Sequence, residues 1–359
     1  MKLILLASAF VTTLPVTAEV TAVAHPDEKF PTGGTVVWSP LFQAAWDRLN
    51  EQSGGKPAKY EPPGPLMEKL DRFEWQSSSV MPASGWGIWS GPAIAATLDK
   101  ANKGAAGIIS SKDPVFSLKA PDPAGTAVFG LLEPALEFET ALYRSKTRPL
   151  AFGEGDAAPK VKFFGVKGAQ SQAFTQIKVL AYRPGERCHA LEIPCKGGSE
   201  SVILYRPSAG SAQDFATACQ WLKTWRKAWK ADPDGSFQYN DPNFHLYDVL
   251  KIPYLKLDST AGFEGRLGST RIFPGKKPPQ TIARAVQKLG FELHERGARV
   301  AEIIDLEPGC FSSNPVYPPS FPRLFVYDSP FFVFLWRKDA EWPYFGAWVG
   351  DASAMEKWE

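Results

Sequence analysis

Residues 330–349 read PFFVFLWRKDAEWPYFGAWV: two apolar runs, Pro330–Trp336 and Pro343–Val349, joined by the charged stretch Arg337–Glu341. The core of the first run, Phe331–Trp336, has only six residues. That is far too short to cross a bilayer and reads as a buried strand. Strands dominate the second half of the chain around this pair: Leu246–Leu257, Ala285–His294, Ala298–Leu306 and Leu324–Trp336. An earlier β-rich block comprises Val161–Phe164, Gln176–Tyr182, Cys188–Ile193 and Ser201–Tyr205, with turns at Arg183-Pro184-Gly185 and Lys196-Gly197-Gly198. Nearer the start, a short strand from Val36 closes on Ser39-Pro40, and Ala127–Leu132 and Pro134–Phe138 also read as strand. Apolar residues recur at helical spacing over Leu41–Leu49, Leu66–Phe73, Pro92–Asn102 and Ala212–Ala231. Helices early and strands late make an α+β chain, and no break in composition divides residues 25–359.

The chain has 359 residues, with 40 Lys and Arg against 38 Asp and Glu for a formal charge of +2. Such a balance supplies no field to hold nucleic acid or an anionic membrane. Met1-Lys2, the apolar run Leu3–Leu14 and the small residues Val16-Thr17-Ala18 have the layout of a secretory signal peptide over residues 1–18. The mature chain is expected to begin near Glu19, or after Ala24 at a second small-residue site. It is expected to be secreted, to an extracellular or periplasmic space. Of four cysteines, Cys188 and Cys195 flank a predicted strand. Seven steps of strand separate their Cα atoms by roughly 23 Å, against the roughly 7 Å limit of a disulfide. Cys310 is expected to be a free thiol; the alternative is a bond to Cys219.

Catalytic anchors are missing. No HExxH, GxSxG, CxxC, GxGxxG or GxxxxGK[ST] occurs, so the chain reads as no enzyme, with no cofactor and no metal. His294-Glu295 lacks a second histidine one helical turn on. Glu137 and Glu139 share a strand face, as a glycosidase pair would, but so do many solvated strands. Trp221, Trp225 and Trp229 recur every four residues among Lys223, Arg226, Lys227 and Lys230. This spacing fits a polyanion-binding helix, and better a tryptophan packing face with snorkelling basic residues.

The closing hairpin resembles the end of the serpin family, whose pattern is Pro-Phe-apolar-Phe-Phe-apolar, a turn, then apolar-Phe-apolar-Gly-Arg-apolar. Gly346 falls on the family glycine, and Ala347 replaces its Arg. Residues 287–297, QKLGFELHERG, resemble the His-Lys-Ala-x-x-Glu-Val-x-Glu-x-Gly strand that leads into the serpin reactive loop. Leu246–Phe263, Leu191–Cys195 and Ser39-Pro40-Leu41 are similar to three further blocks in the family's order. The span Asn50–Ala120 matches poorly and looks shortened.

The resemblance implies a serpin-like fold with a large central sheet, and a monomeric inhibitor of a serine or cysteine protease. It acts through a bait loop, here about residues 298–320, that is cleaved and inserts into the main sheet. Carried over position by position, the hinge falls on Glu295, Gly297, Ala298, Val300 and Glu302, and the scissile bond on Phe311-Ser312. Counting back from Pro330 gives Pro319-Ser320 instead. The sheet-opening region falls on Ser39, Pro40, Pro134 and Gln287. Here the chain departs from the family, with Phe42 for a Ser, Pro134 for an Asn and Gln287 for a His. The hinge run is also bulky and carries Glu302, so the alternative is a non-inhibitory serpin-fold binding protein.

Overall fold

The structure, a computed structural model, describes residues 20–31, 33–109, 114–118, 121–167, 172–211, 213–230, 241–267, 270–275, 279–282, 285–299 and 322–359. The expected signal peptide, Cys310, and loop residues Val300, Glu302, Phe311 and Ser312 lie outside them.

Phe331–Arg337 and Phe345–Val349 form the expected hairpin, in register Phe332↔Trp348 and Phe334↔Gly346. It is the centre of a seven-stranded sheet ordered Thr21–Val23, Val36–Trp38, Phe345–Val349, Phe331–Arg337, Glu200–Arg206, Cys188–Pro194, Lys178–Arg183. The run is apolar throughout because the strand is covered on both faces. Phe331, Val333 and Leu335 face the main core. Phe332, Phe334 and Trp336 alternate with them and meet Phe215, Ala218, Cys219 and Leu222 of the helix Phe215–Ala228.

That helix corrects the tryptophan reading. It is shorter than Ala212–Ala231, starting where the Asp214 side chain accepts from the Thr217 amide at 2.7 Å. Its buried stripe is Phe215, Ala218, Cys219 and Leu222, whereas Trp221 is 48% exposed. Trp225 sits at the margin, edge-on to Tyr205 at 5.3 Å. The helix expected over Pro92–Asn102 runs instead from Ala95 to Ile109, because Pro92 and Ala93 pair in a strand with Thr126 and Asp122.

Two long strand expectations are each two strands in different sheets. Leu246–Leu257 resolves into Val249–Pro253 and Leu255–Gly262, broken at Tyr254. Leu324–Trp336 resolves into Leu324–Val326 and Phe331–Arg337. Cys188, Cys195 and Cys219 are free and buried, and Cys188 opens the strand Cys188–Pro194 as the geometric argument required. Among the described residues no helix is long and apolar enough to cross a membrane.

Candidate functional site

The strand Val286–His294 carries the residues that the sequence singled out, and its two edges differ. One edge pairs along its whole length with Leu255–Gly262, from Leu255↔Leu293 to Gly262↔Val286. On the other edge only Glu292–His294 is paired, with the three-residue strand Gly297–Arg299 that turns back through Glu295-Arg296. That short strand also pairs on its far side, with Ala135–Glu137, in register Gly297↔Glu137, Ala298↔Leu136 and Arg299↔Ala135. Gly297–Arg299 therefore lies inside a sheet, bonded on both edges.

Local chemistry explains why it sits there. Gly297 has φ +151°, and a Cβ placed on it would come 2.0 Å from the Leu136 carbonyl oxygen, so only glycine fits. Ala298 is fully buried. The turn is pinned from across the sheet: the Glu295 carbonyl accepts from the Leu142 amide at 2.7 Å, and the Arg296 carbonyl from the Phe138 amide at 2.8 Å. The Tyr254 hydroxyl donates to Glu295 Oε2 at 2.7 Å. Burial, and then Glu295 itself, push the Tyr254 phenol up, which keeps it a donor at any ordinary pH.

Past Arg299 the two walls separate. Among the described residues no ladder joins residues 286–291 to Asp122–Leu132, whose partner is Trp86–Ala93. Between them lies a cavity of about 50 Å³. Gln287, Leu289 and Gly290 form one wall, Gly130–Leu132 and Pro134 the other, and Ser39, Leu41, Leu335 and Phe345 complete the lining. Space of this size holds a few waters at most. Ser39 is satisfied, its hydroxyl donating to the Tyr344 carbonyl at 3.0 Å. Gln287 is not: it is 7% exposed, and neither Nε2 nor Oε1 has a partner among the described residues. The opposite wall presents Pro134, which has no N–H to offer it.

The structure thus brings Ser39, Pro134 and Gln287 to one cavity, while Pro40 stands just outside it as the N-cap of the helix Leu41–Gln52. Glu295, Gly297 and Ala298 sit at its upper end. Glu137 is exposed and bound to Lys196, whose hydrogen bond and charge hold its carboxyl below the usual range. Among the described residues no group of three or more metal-ligating side chains occurs.

A second arrangement escaped the sequence reading entirely. Arg323, just before the strand Leu324–Val326, is completely buried, and so is Asp248. The guanidinium donates to Asp248 through Nε (3.1 Å) and Nη2 (2.6 Å), and through Nη1 to the Asp241 carbonyl (2.7 Å). The Asp241 carboxylate is also bonded to His245.

No protein-family model matches the sequence, and no curated protein does. Solved structures do resemble the fold. The chain is similar to thyroxine-binding globulin in complex with thyroxine, at 11% identity over 88% of this chain and 92% of that one, with a TM-score of 0.50. It is similar to the mouse protein-Z dependent protease inhibitor at 14% identity, over 88% and 90% of the two chains, with a TM-score of 0.50. A highly specific serpin of the insect Tenebrio molitor follows at 12% identity, over 88% and 91%, with a TM-score of 0.47. At these identities the likeness is one of architecture: the chain has a divergent serpin fold.

Proposed function

We propose that this chain is a secreted inhibitor of a serine or cysteine protease, acting through a bait loop that is cleaved and then inserts into the sheet. One observation carries the proposal: Gly297–Arg299 is already bonded on both edges, at the end of a cavity whose two walls share no ladder among the described residues. The chain beyond Arg299 can extend this strand downward between Val286–His294 and Asp122–Leu132. Successive added residues offer their N–H and C=O groups to the two walls in alternation.

The hinge sequence works against complete insertion. In a continuing strand Val300 and Glu302 share the face of Ala298, which is the core side. A carboxylate brought there without a cation costs several kcal/mol or takes up a proton. The expected agent is therefore a slow or inefficient trap, with Phe311-Ser312 as the bond offered to chymotrypsin-like enzymes. Incubation with chymotrypsin-, elastase- and trypsin-like proteases, followed by denaturing gels, tests this. A heat- and detergent-resistant adduct is the expected result. Clean cleavage with no adduct would make the chain a non-inhibitory serpin-fold binding protein.

A further inference from the structure

Residues 20–31 form a strap stitched to several elements at once. Thr21–Val23 pairs in parallel with Val36–Trp38 and is the outermost strand of the seven-stranded sheet. Ala22, Val23 and Ala24 are only 7%, 4% and 1% exposed. The Thr21 amide donates to the Thr35 carbonyl at 2.9 Å, and the Ser259 hydroxyl donates to the Val20 carbonyl at 2.9 Å. Next along, the amides of Ala24 and His25 both donate to Glu28 Oε1, at 2.7 and 2.8 Å. The Pro26 carbonyl accepts from Ala216 at 2.8 Å, and Lys69 binds Asp27 at 2.8 Å. Phe30 then packs edge-on against Phe215 at 4.9 Å.

The sequence offers two small-residue processing points, one ending at Ala18 and one at Ala24. A signal peptidase cuts the chain before it folds, so the fold hides neither point; it decides what each product lacks. Removal of residues 20–24 deletes the outer strand and bares the Val36–Trp38 edge, the kind of unpaired edge that recruits other chains. It also leaves the Thr35 carbonyl and the Ser259 hydroxyl without their partners, and puts a charged α-amino group on His25, which is 8% exposed. Removal through residue 18 or 19 disturbs none of this. Resting on the export reading above, we infer that processing stops before Val20, so that Thr21–Val23 is retained as a structural strand of the mature protein and Ala24 is not the cleavage point.

Intact-mass measurement and N-terminal sequencing of the exported protein read the start directly. A chain beginning at Glu19 or Val20 is expected, and one beginning at His25 overturns the inference. Exported protein that still carries Met1 would count against the signal-peptide reading instead. In that case two truncated chains settle the role of the strap. The form starting at His25 is expected to melt lower than the form starting at Glu19, by on the order of 5 °C, or to fail to fold. Equal melting temperatures overturn the inference. Thr21→Pro against Thr21→Val gives a milder check, because only proline deletes the amide that binds Thr35: the proline form is expected to melt lower, and equal melting again contradicts the strap.

Discussion

The chain between Arg299 and Phe321 is held at its two ends by opposite kinds of chemistry. At the upstream end Gly297–Arg299 is fixed by backbone hydrogen bonds on both edges, and the two side chains that matter there are the smallest available, Gly297 and Ala298. At the downstream end Arg323 is locked by three donated bonds to Asp248 and Asp241, with both charges buried. Backbone ladders repeat every residue, so the upstream end can lengthen without breaking what holds it. A buried guanidinium–carboxylate pair has one geometry and no next position. On the proposed mechanism the difference assigns the two ends their parts: the Gly297–Arg299 end lengthens and the Arg323 end stays.

The sharpest way to break this comparison is at the exit. Arg323→Leu leaves Asp248 buried without its cation and is expected to cost about 3–5 kcal/mol in urea unfolding. Adding Asp248→Leu should recover much of that loss, since replacing both charges removes the desolvation problem. A loss below about 1 kcal/mol in the single variant would mean that the exit is not anchored by this pair.

Next in size is Gly297→Val at the hinge. The φ of +151° and the 2.0 Å approach to the Leu136 oxygen leave no room for a Cβ, and the backbone strain alone is worth about 1–3 kcal/mol. Amide exchange at Ala298 should accelerate strongly while exchange around Arg323 stays slow. Acceleration at both ends would dissolve the distinction between them.

The exit end also has a pH signature. His189 is buried against Tyr327 and Phe325, with ring centroids at 4.8 and 5.6 Å. Burial, helped by the charge of Arg206, pushes its pKa down to about 3 from the ordinary 6.5. The unfolded chain therefore binds a proton below pH 6.5 that the folded chain refuses. Its contribution is complete above pH 6.5 and is lost progressively as the pH falls from 6.5 toward 3. The slope is at most about 1.4 kcal/mol per pH unit for one proton. His189→Phe should flatten this part of the stability–pH curve. A variant curve parallel to wild type throughout would contradict the burial argument.

Smallest is Tyr254→Phe, which deletes the bond from the Tyr254 hydroxyl to the Glu295 carboxylate on the hinge turn and should cost about 1 kcal/mol. Any effect larger than that of Gly297→Val would show that the hinge, like the exit, depends on a side-chain lock.

Much of this architecture was legible in the sequence because the signal was local. The Phe331–Trp336 run read as a buried strand, and the strand expected over Ala285–His294 placed Gln287 where the structure has it. What stayed hidden was set by distant neighbours. Arg323 and Asp248 lie 75 residues apart, and nothing near either marks it as buried. The strand break at Tyr254 was masked because apolar alternation runs through it, although its two halves serve different sheets. The tryptophan face was misassigned because spacing fixes which residues share a face, not which face meets the sheet. There the smaller Ala218 and Cys219 let the helix approach, and Trp221 is left outside.

The central claim is that chain running on from Gly297–Arg299 can fill the slot beneath it. It is tested most directly by the melting temperature of the protein before and after a single protease cut between residues 300 and 321. Cleavage frees the upstream segment from the fixed exit, so the cut protein is expected to melt higher than the intact one, and Glu302→Ala should enlarge the gain. A cut protein that melts at or below the intact temperature in both forms would contradict the account.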